Sequence, residues 1–191
     1  MNPKTILFTT VCIIGIVLDQ ITKYWVRANI RLHIDEIPLI TDFFSLVHAE
    51  NPGAAGGFLR NFEYRQYLFL GFTVVAISVI INLWRSLPSN ERFMSFTLGL
   101  ILSGAIGNAI DRIHKQSVTD FLRVYTENES FKPWLIEHFG TNEWPSFNVA
   151  DSALVVGVSL FMIHYLFIEE KDPPKPTPES PTAAPPDAPQ A

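Results

Sequence analysis

The chain has 191 residues, of which 48% are hydrophobic and 17% charged, and a formal net charge of −5. That length suits one domain; the single cysteine, Cys12, excludes an internal disulfide, no zinc spacing occurs, and no basic cluster points to nucleic acid. The charge says little about partners, because residues 169–191 hold Glu169, Glu170, Asp172, Glu179 and Asp187 against Lys171 and Lys175.

The apolar residues fall in runs. Ile6–Leu18 is apolar and reaches spanning length only by taking in Asp19, Gln20 and Lys23. Nothing like a small-x-small cleavage site follows it, so an uncleaved helix is expected near residues 4–26, with Asn2-Pro3 at its start. Asp19 and Lys23 are one turn apart, which reads as an i,i+4 ion pair at the membrane interface supporting a polar site. Residues 27–64 form a long polar connection. Within it, residues 38–62 carry Phe43, Phe44, Leu46 and Val47, with Leu46 and His48 in period-two register, and the turn signal Asn51-Pro52-Gly53. A small β element lying against the membrane is expected there. The Gly/Ala run from Gly53 to Gly57 allows another backbone to approach, and it reads equally as an ordinary glycine-rich loop.

Tyr67–Trp84 and Phe93–Ile110 are uncharged, and Val149–Ile168 has Asp151 as its only acid. About 20 helical residues cross a bilayer core, so further spans are expected near 65–86, 92–113 and 148–169. The short link Arg85–Arg92 makes the second and third spans antiparallel neighbours. The third carries Gly99, Ser103, Gly107 and Asp111 at intervals of four, and the fourth carries Ala153 and Gly157; small residues on one ridge let helices approach closely in lipid. Between them, residues 114–147 form a second long connection with Trp134, Phe139 and Trp144, and a short interfacial helix is expected at Phe131–Phe139. The fold class is thus an all-α membrane protein: a four-helix domain over residues 1–170 with a small β element, followed by a proline-rich tail, 171–191, whose composition predicts disorder.

Ionisable groups at membrane depth are costly and are functional candidates by default. Asp111, Arg112, Asp120 and Asp151 gather at the ends of the third and fourth spans. Two carboxylates close enough to share a proton can run the acid and base steps of peptide hydrolysis without a metal or a nucleophilic Ser or Cys. No cofactor and no metal are expected. Three acids compete. Asp151 reads also as a cap, three residues after Asn148 at a helix start; Asp111 reads as the ion-pair partner of Arg112; Asp120 lies where the chain has left the helix, at a turn back to the membrane surface. Spacing leaves Asp111 and Asp120 with nearly equal claims as the partner of Asp151. A small proton- or cation-coupled transporter, or a membrane scaffold in which these residues only cap and pair, are the competing functions.

Five ordered pieces then bear on the choice: Leu18-Asp19-Gln20-x-x-Lys23, Asn51-x-Gly53-Ala54-Ala55, Gly104-Ala105-x-Gly107-Asn108-x-x-Asp111-Arg112, Val118-x-Asp120-Phe121 and Phe147-Asn148-x-Ala150-Asp151-Ser152. In this order the chain resembles the bacterial lipoprotein signal peptidases (signal peptidase II) over roughly residues 15–165. The resemblance implies an aspartic endopeptidase of the bacterial cytoplasmic membrane that removes signal peptides from diacylglyceryl prolipoproteins on the amino side of the lipidated Cys. It implies a dyad of Asp120 and Asp151 toward the periplasmic face. Asn51, Gly53, Asn108, Arg112 and Asn148 would hold the substrate, with Asp19, Lys23 and Asp111 in support. Contacts with membrane lipids and block by globomycin-type inhibitors are also implied; a monomer is expected. Both termini would be cytoplasmic, against the lysine and arginine count, which puts more cations on the long connections and by the positive-inside rule would place them in the cytoplasm. The chain departs from the family pattern at Gly56-Gly57, where an aromatic is usual, and in a longer connection between Asp120 and Asp151.

Overall fold

The computed structural model describes residues 2–53 and 64–167. The loop with Gly56-Gly57 and the proline-rich tail lie outside the described residues. The elements in order are helix α1 (Pro3–Asn29), strands β1 (Glu36–Ile40) and β2 (Phe44–Asn51), helices α2 (Arg65–Ser86) and α3 (Arg92–Lys115), strand β3 (Val118–Val124), helix α4 (Phe131–Phe139) and helix α5 (Val149–Phe167). α1, α2, α3 and α5 are each long and apolar enough to cross a membrane, so the four expected spans are present.

Local chemistry sets the helix boundaries. Asn2 caps α1 by accepting from Lys4 N at 3.1 Å, with Pro3 in the first turn where its missing N–H costs nothing. Glu91 caps α3, accepting from Met94 N at 3.3 Å, and Gln116 ends that helix in the left-handed region at φ 61°. α3 is the central helix: α1, α2 and α5 all pack on it. Hydrophobic burial drives little association between helices in lipid, so close packing must. A Cβ on Gly107 would lie 2.6 Å from Asp19 Oδ2 and 3.1 Å from the Ala150 Cβ, and one on Gly104 would overlap the Ala150 carbonyl and lie 2.6 Å from Leu154 Cγ. These two glycines let α1 and α5 close on the same turn of α3. Phe8, Cys12, Leu98, Leu102 and Ile80 of α2 fill the middle of the bundle.

The helices alternate in direction. At one end, Lys4 Nζ donates to Leu87 O at 2.5 Å and Phe93 stacks on His164, 5.4 Å between ring centroids. The start of α1, the α2–α3 link and the end of α5 therefore lie together. The opposite end carries the sheet, an antiparallel β1-β2-β3. The β element expected within 38–62 begins slightly earlier and gains a third strand. β3 comes from the second connection and pairs Ala49 with Asp120, Glu50 with Thr119 and Asn51 with Val118. Asp120 is thus on a strand, not at a turn. The sheet is seated by Phe121, buried with Val26 of α1 and Ile30 just past its end and flanked by Leu46, Leu122 and Val149; fully burying one such side chain contributes about 1.5–3 kcal/mol.

Candidate active site

The sheet end of the bundle collects every acid and amide named above as a site candidate. β3 supplies Asp120, α5 supplies Asp151, α3 supplies Asn108, Asp111 and Arg112, and α1 supplies Asp19 and Lys23. Asn51 is the last residue of β2, and Asn148 immediately precedes α5.

Asn148 joins the two carboxylates. Its side-chain amide donates to Asp120 Oδ1 at 2.7 Å, while its side-chain oxygen accepts from Asp151 N at 2.9 Å. Its own N–H donates back to Asp151 Oδ2 at 3.2 Å, a reciprocal capping arrangement with the acid at the third helical position. The second oxygen of each acid is also held. Asn51 Nδ2 donates to Asp120 Oδ2 at 3.0 Å and Asn108 Nδ2 to Asp151 Oδ1 at 2.7 Å. The cap reading of Asp151 is therefore correct as geometry, and it coexists with a link to Asp120 through Asn148.

Burial and the neighbouring charge of Asp151 push the Asp120 carboxyl from the ordinary 3.8 up to about 7, against the opposing pull of Asn51, Asn148 and Lys23. Asp120 is 3% exposed. Its protonated form is thus available near neutral pH.

Beneath the two acids lies a buried ionic centre. Lys23, wholly inaccessible, lies 2.9 Å from Asp19 Oδ2 and 3.3 Å from Asp111 Oδ2, and donates to Asn108 Oδ1 at 3.0 Å. Three donors thus meet three acceptors, the condition under which a buried ammonium is tolerable. Each flanking acid also grips a backbone N–H beside a dyad candidate. Asp19 Oδ1 accepts from Ala150 N at 3.0 Å and Asp111 Oδ2 from Thr119 N at 3.0 Å. Two expectations change here. The Asp19–Lys23 pair is enclosed by protein rather than exposed on the helix surface, because Gly107 lets α5 close over it. Asp111 pairs with Lys23 and with Arg27, at 3.7 Å, and among the described residues no ion pair joins it to Arg112.

Arg112 instead lays its guanidinium over the Phe69 ring of α2, 5.2 Å from the centroid, and reaches Asn108 O at 3.4 Å, with a buried Nε that has no hydrogen-bond partner among the described residues. Gly53 sits at φ 84°, in the left-handed region, its N–H donating to Asn51 Oδ1 at 2.9 Å. Pro52 O accepts from Arg65 Nε and Gln66 Nε2, both at 2.9 Å, so the first turn of α2 holds the turn that aims Asn51.

Several residues in this network were not singled out from sequence. Thr119 meets Arg27, Lys115 and Glu50 through its hydroxyl. Glu50 accepts from Ser117 at 2.5 Å and Lys115 at 3.0 Å; burial alone would raise its carboxyl, and these donors with Thr119 bring it down to about 2. Their only sequence signal is adjacency, Glu50 to Asn51 and Thr119 to Asp120. Among the described residues no group of three His, Cys, Asp or Glu side chains is set to hold a metal ion.

Comparison with known proteins adds an independent line. A family model described as signal peptidase (SPase) II matches residues 11–167. A lipoprotein signal peptidase of Geobacter metallireducens is 39% identical over 171 residues, covering 90% of this chain and 97% of its own. That of Geobacter sulfurreducens is 38% identical, covering 91% and 100%. Among solved structures, a bacterial membrane enzyme determined by the in meso method at 1.9 Å superposes with a TM-score of 0.68 at 27% identity, over 84% of this chain and 93% of that one. A second, at 2.3 Å, gives 0.70 at 25% identity, over 89% and 93%.

Proposed function

This chain belongs to the signal peptidase II family, and from that premise we propose that it is a membrane-embedded aspartic endopeptidase whose catalytic pair is Asp120 and Asp151. The observation that carries the proposal is the bridge through Asn148: two carboxylates held by one amide, with Asp120 raised to about 7 by burial and by its neighbour's charge. Pairs of acids whose environments separate their protonation states divide acid and base roles between them.

Asp120 enters the cycle protonated. Asp151, which accepts from Asn108 Nδ2 and Asn148 N, takes the role of base. Asp151 takes a proton from water as the water oxygen bonds to the scissile carbonyl carbon, and Asp120 gives its proton to the carbonyl oxygen. The resulting gem-diol collapses as Asp151 passes its proton to the leaving nitrogen and a diol hydroxyl returns a proton to Asp120. The C–N bond breaks to a carboxylic acid and an amine, with both acids restored. Arg112, whose buried Nε has no partner among the described residues, and the amides of Asn51, Asn108 and Asn148 hold the peptide, and Gly53 lets its backbone come near.

The substrate is a prolipoprotein whose Cys carries diacylglycerol, cleaved on the amino side of that Cys, with the acyl chains in lipid beside the helices. The protein works as a monomer in the bacterial cytoplasmic membrane, both termini cytoplasmic and the dyad periplasmic. A proton- or cation-coupled transporter would need acids spaced along a path across the bilayer; here they share one end.

The test is incubation of purified protein with a diacylglyceryl prolipoprotein, with and without globomycin. Release of the signal peptide, blocked by globomycin, is expected. No cleavage by folded protein, or cleavage indifferent to globomycin, contradicts the proposal.

A further inference from the structure

Helix α4 and the chain around it form an arm inserted between the strand that carries Asp120 and the residue that caps α5. The arm has an unusual surface. α4 reads Phe-Lys-Pro-Trp-Leu-Ile-Glu-His-Phe, and none of its residues is buried. Phe131, Leu135 and Phe139 share one face at intervals of four, and Trp134 borders it, stacked on Phe131 at 5.5 Å and edge-on to Phe139 at 5.8 Å between ring centroids; Ile136 lies off that face, and both Trp134 and Ile136 are exposed. A helix that is apolar on more than one side needs an apolar environment on more than one side.

One of those sides is an open groove of about 450 Å³ between α4 and the end of the sheet, lined by Phe43, Val124 and Trp144 together with the α4 face. Trp144, 69% exposed, lies five positions before the first residue of a spanning helix, Val149. The chain between them is tied to β3 by Trp144 N to Val124 O at 2.9 Å and Phe147 N to Leu122 O at 3.0 Å. At the same end of the bundle, Tyr24 and Trp25 project outward from the last turns of α1. The arm thus joins the bundle at the end where α1 exposes Tyr24 and Trp25, and it adds exposed tryptophan and phenylalanine to that end; tryptophan and tyrosine collect at membrane interfaces.

The charges on the arm narrow the occupant. Lys132 pairs with Glu127, and Arg123 lies between Glu36, at 2.8 Å, and Glu143, at 2.6 Å. Each lysine and arginine on the described arm is thus already paired, leaving no cation to seek lipid phosphate. We propose that the α4 arm docks on the bilayer surface by apolar insertion, with Phe131, Trp134 and Phe139 at the boundary between headgroups and acyl chains and acyl segments filling the groove. This inference rests on the membrane-spanning fold and is independent of the peptidase chemistry.

The experiment uses the full chain in phosphatidylcholine nanodiscs, with Trp25→Phe, Trp84→Phe and Trp144→Phe leaving Trp134 as the only tryptophan. Lipid brominated near the ester end of the acyl chains should remove most of the Trp134 emission, and aqueous iodide should remove little. Added salt, or replacement of part of the lipid by an anionic one, should change neither result. The further changes Phe131→Ser and Phe139→Ser, both at exposed positions, should exchange the two sensitivities while leaving the thermal unfolding profile in place. Quenching by iodide and not by bromolipid would put the arm in water and overturn the proposal. Protection from both quenchers would overturn it in favour of cover by protein, which cross-linking of a second copy would then identify.

Discussion

Asp120 gives the site its pH dependence. Its carboxyl titrates near 7 in the folded protein against the ordinary 3.8. Between these values the folded state holds a proton that the unfolded state has released, so stability must fall as pH rises through that window. Asp120→Asn removes the titration, and unfolding midpoints in detergent should become flatter with pH and higher than those of the parent protein above neutrality. Turnover by the parent should fall along an alkaline limb centred near 7, as the donor ionises; the apparent value belongs to the pair. A rate that rises through this limb would assign the base role to Asp120 instead. The residues around Lys23 behave differently. Asp19→Asn and Asp111→Asn each strip one partner from a buried lysine, a change that costs about 3–5 kcal/mol when a charge is left uncompensated. Each also weakens the grip on Ala150 N or Thr119 N. Lowered thermal stability with measurable turnover is expected of both, read by unfolding and cleavage on the same preparations. This division was not legible from spacing, which left Asp111 and Asp120 tied. Asp111 is committed by contacts to Lys23 and Arg27, residues some 85 positions away in the chain that no local pattern links to it.

At the scale of elements, what sequence shows and what it hides follow from the range of the interactions. The spans are read from uncharged runs because lipid permits only self-satisfied backbone, and a helix satisfies its own. α4 was visible for the same local reason, a short apolar stretch ended by Gly140 at φ 75°. β3 was not. It is seven residues long, carries Asp120 and Arg123 within it, and pairs with a strand ending at Asn51, far back in the chain. Its partner, not its own periodicity, makes it a strand. The ridge of small residues on α3 was legible, and its consequence can be measured. Gly107→Val places a branched side chain where a Cβ alone would be 2.6 Å from Asp19 Oδ2. Overpacking of this kind costs about 1–3 kcal/mol, so a lower unfolding midpoint in micelles is expected, together with loss of activity as α5 and Asp151 are pushed from α3. An unchanged midpoint would mean that α1 and α5 do not close on this turn.

For the whole molecule, four antiparallel spans put the acids, the sheet and α4 at one end and the start of α1, the α2–α3 link and the end of α5 at the other. The proposed orientation sets the acidic end outside, against the naive charge count. Many of the cations that unbalance that count are committed within the fold, Lys23 and Arg27 to Asp111, Lys115 to Glu50 and Arg123 to Glu36 and Glu143. Cysteines introduced singly by Glu129→Cys and Ser89→Cys report the sidedness. A membrane-impermeant maleimide applied to spheroplasts should label the first and not the second, and the reverse pattern would invert the topology.

The central claim is that Asp120 and Asp151 act as one catalytic unit. Residues that act as a unit lose nearly the whole effect when either is removed. The direct measurement is single-turnover cleavage of a diacylglyceryl prolipoprotein by Asp120→Asn, Asp151→Asn and Asp111→Asn in detergent, with unfolding recorded for each. The account predicts no detectable cleavage by folded Asp120→Asn or Asp151→Asn, and residual cleavage by a less stable Asp111→Asn. Full cleavage by Asp120→Asn, with loss confined to Asp111→Asn and Asp151→Asn, would contradict it and transfer the dyad to Asp111.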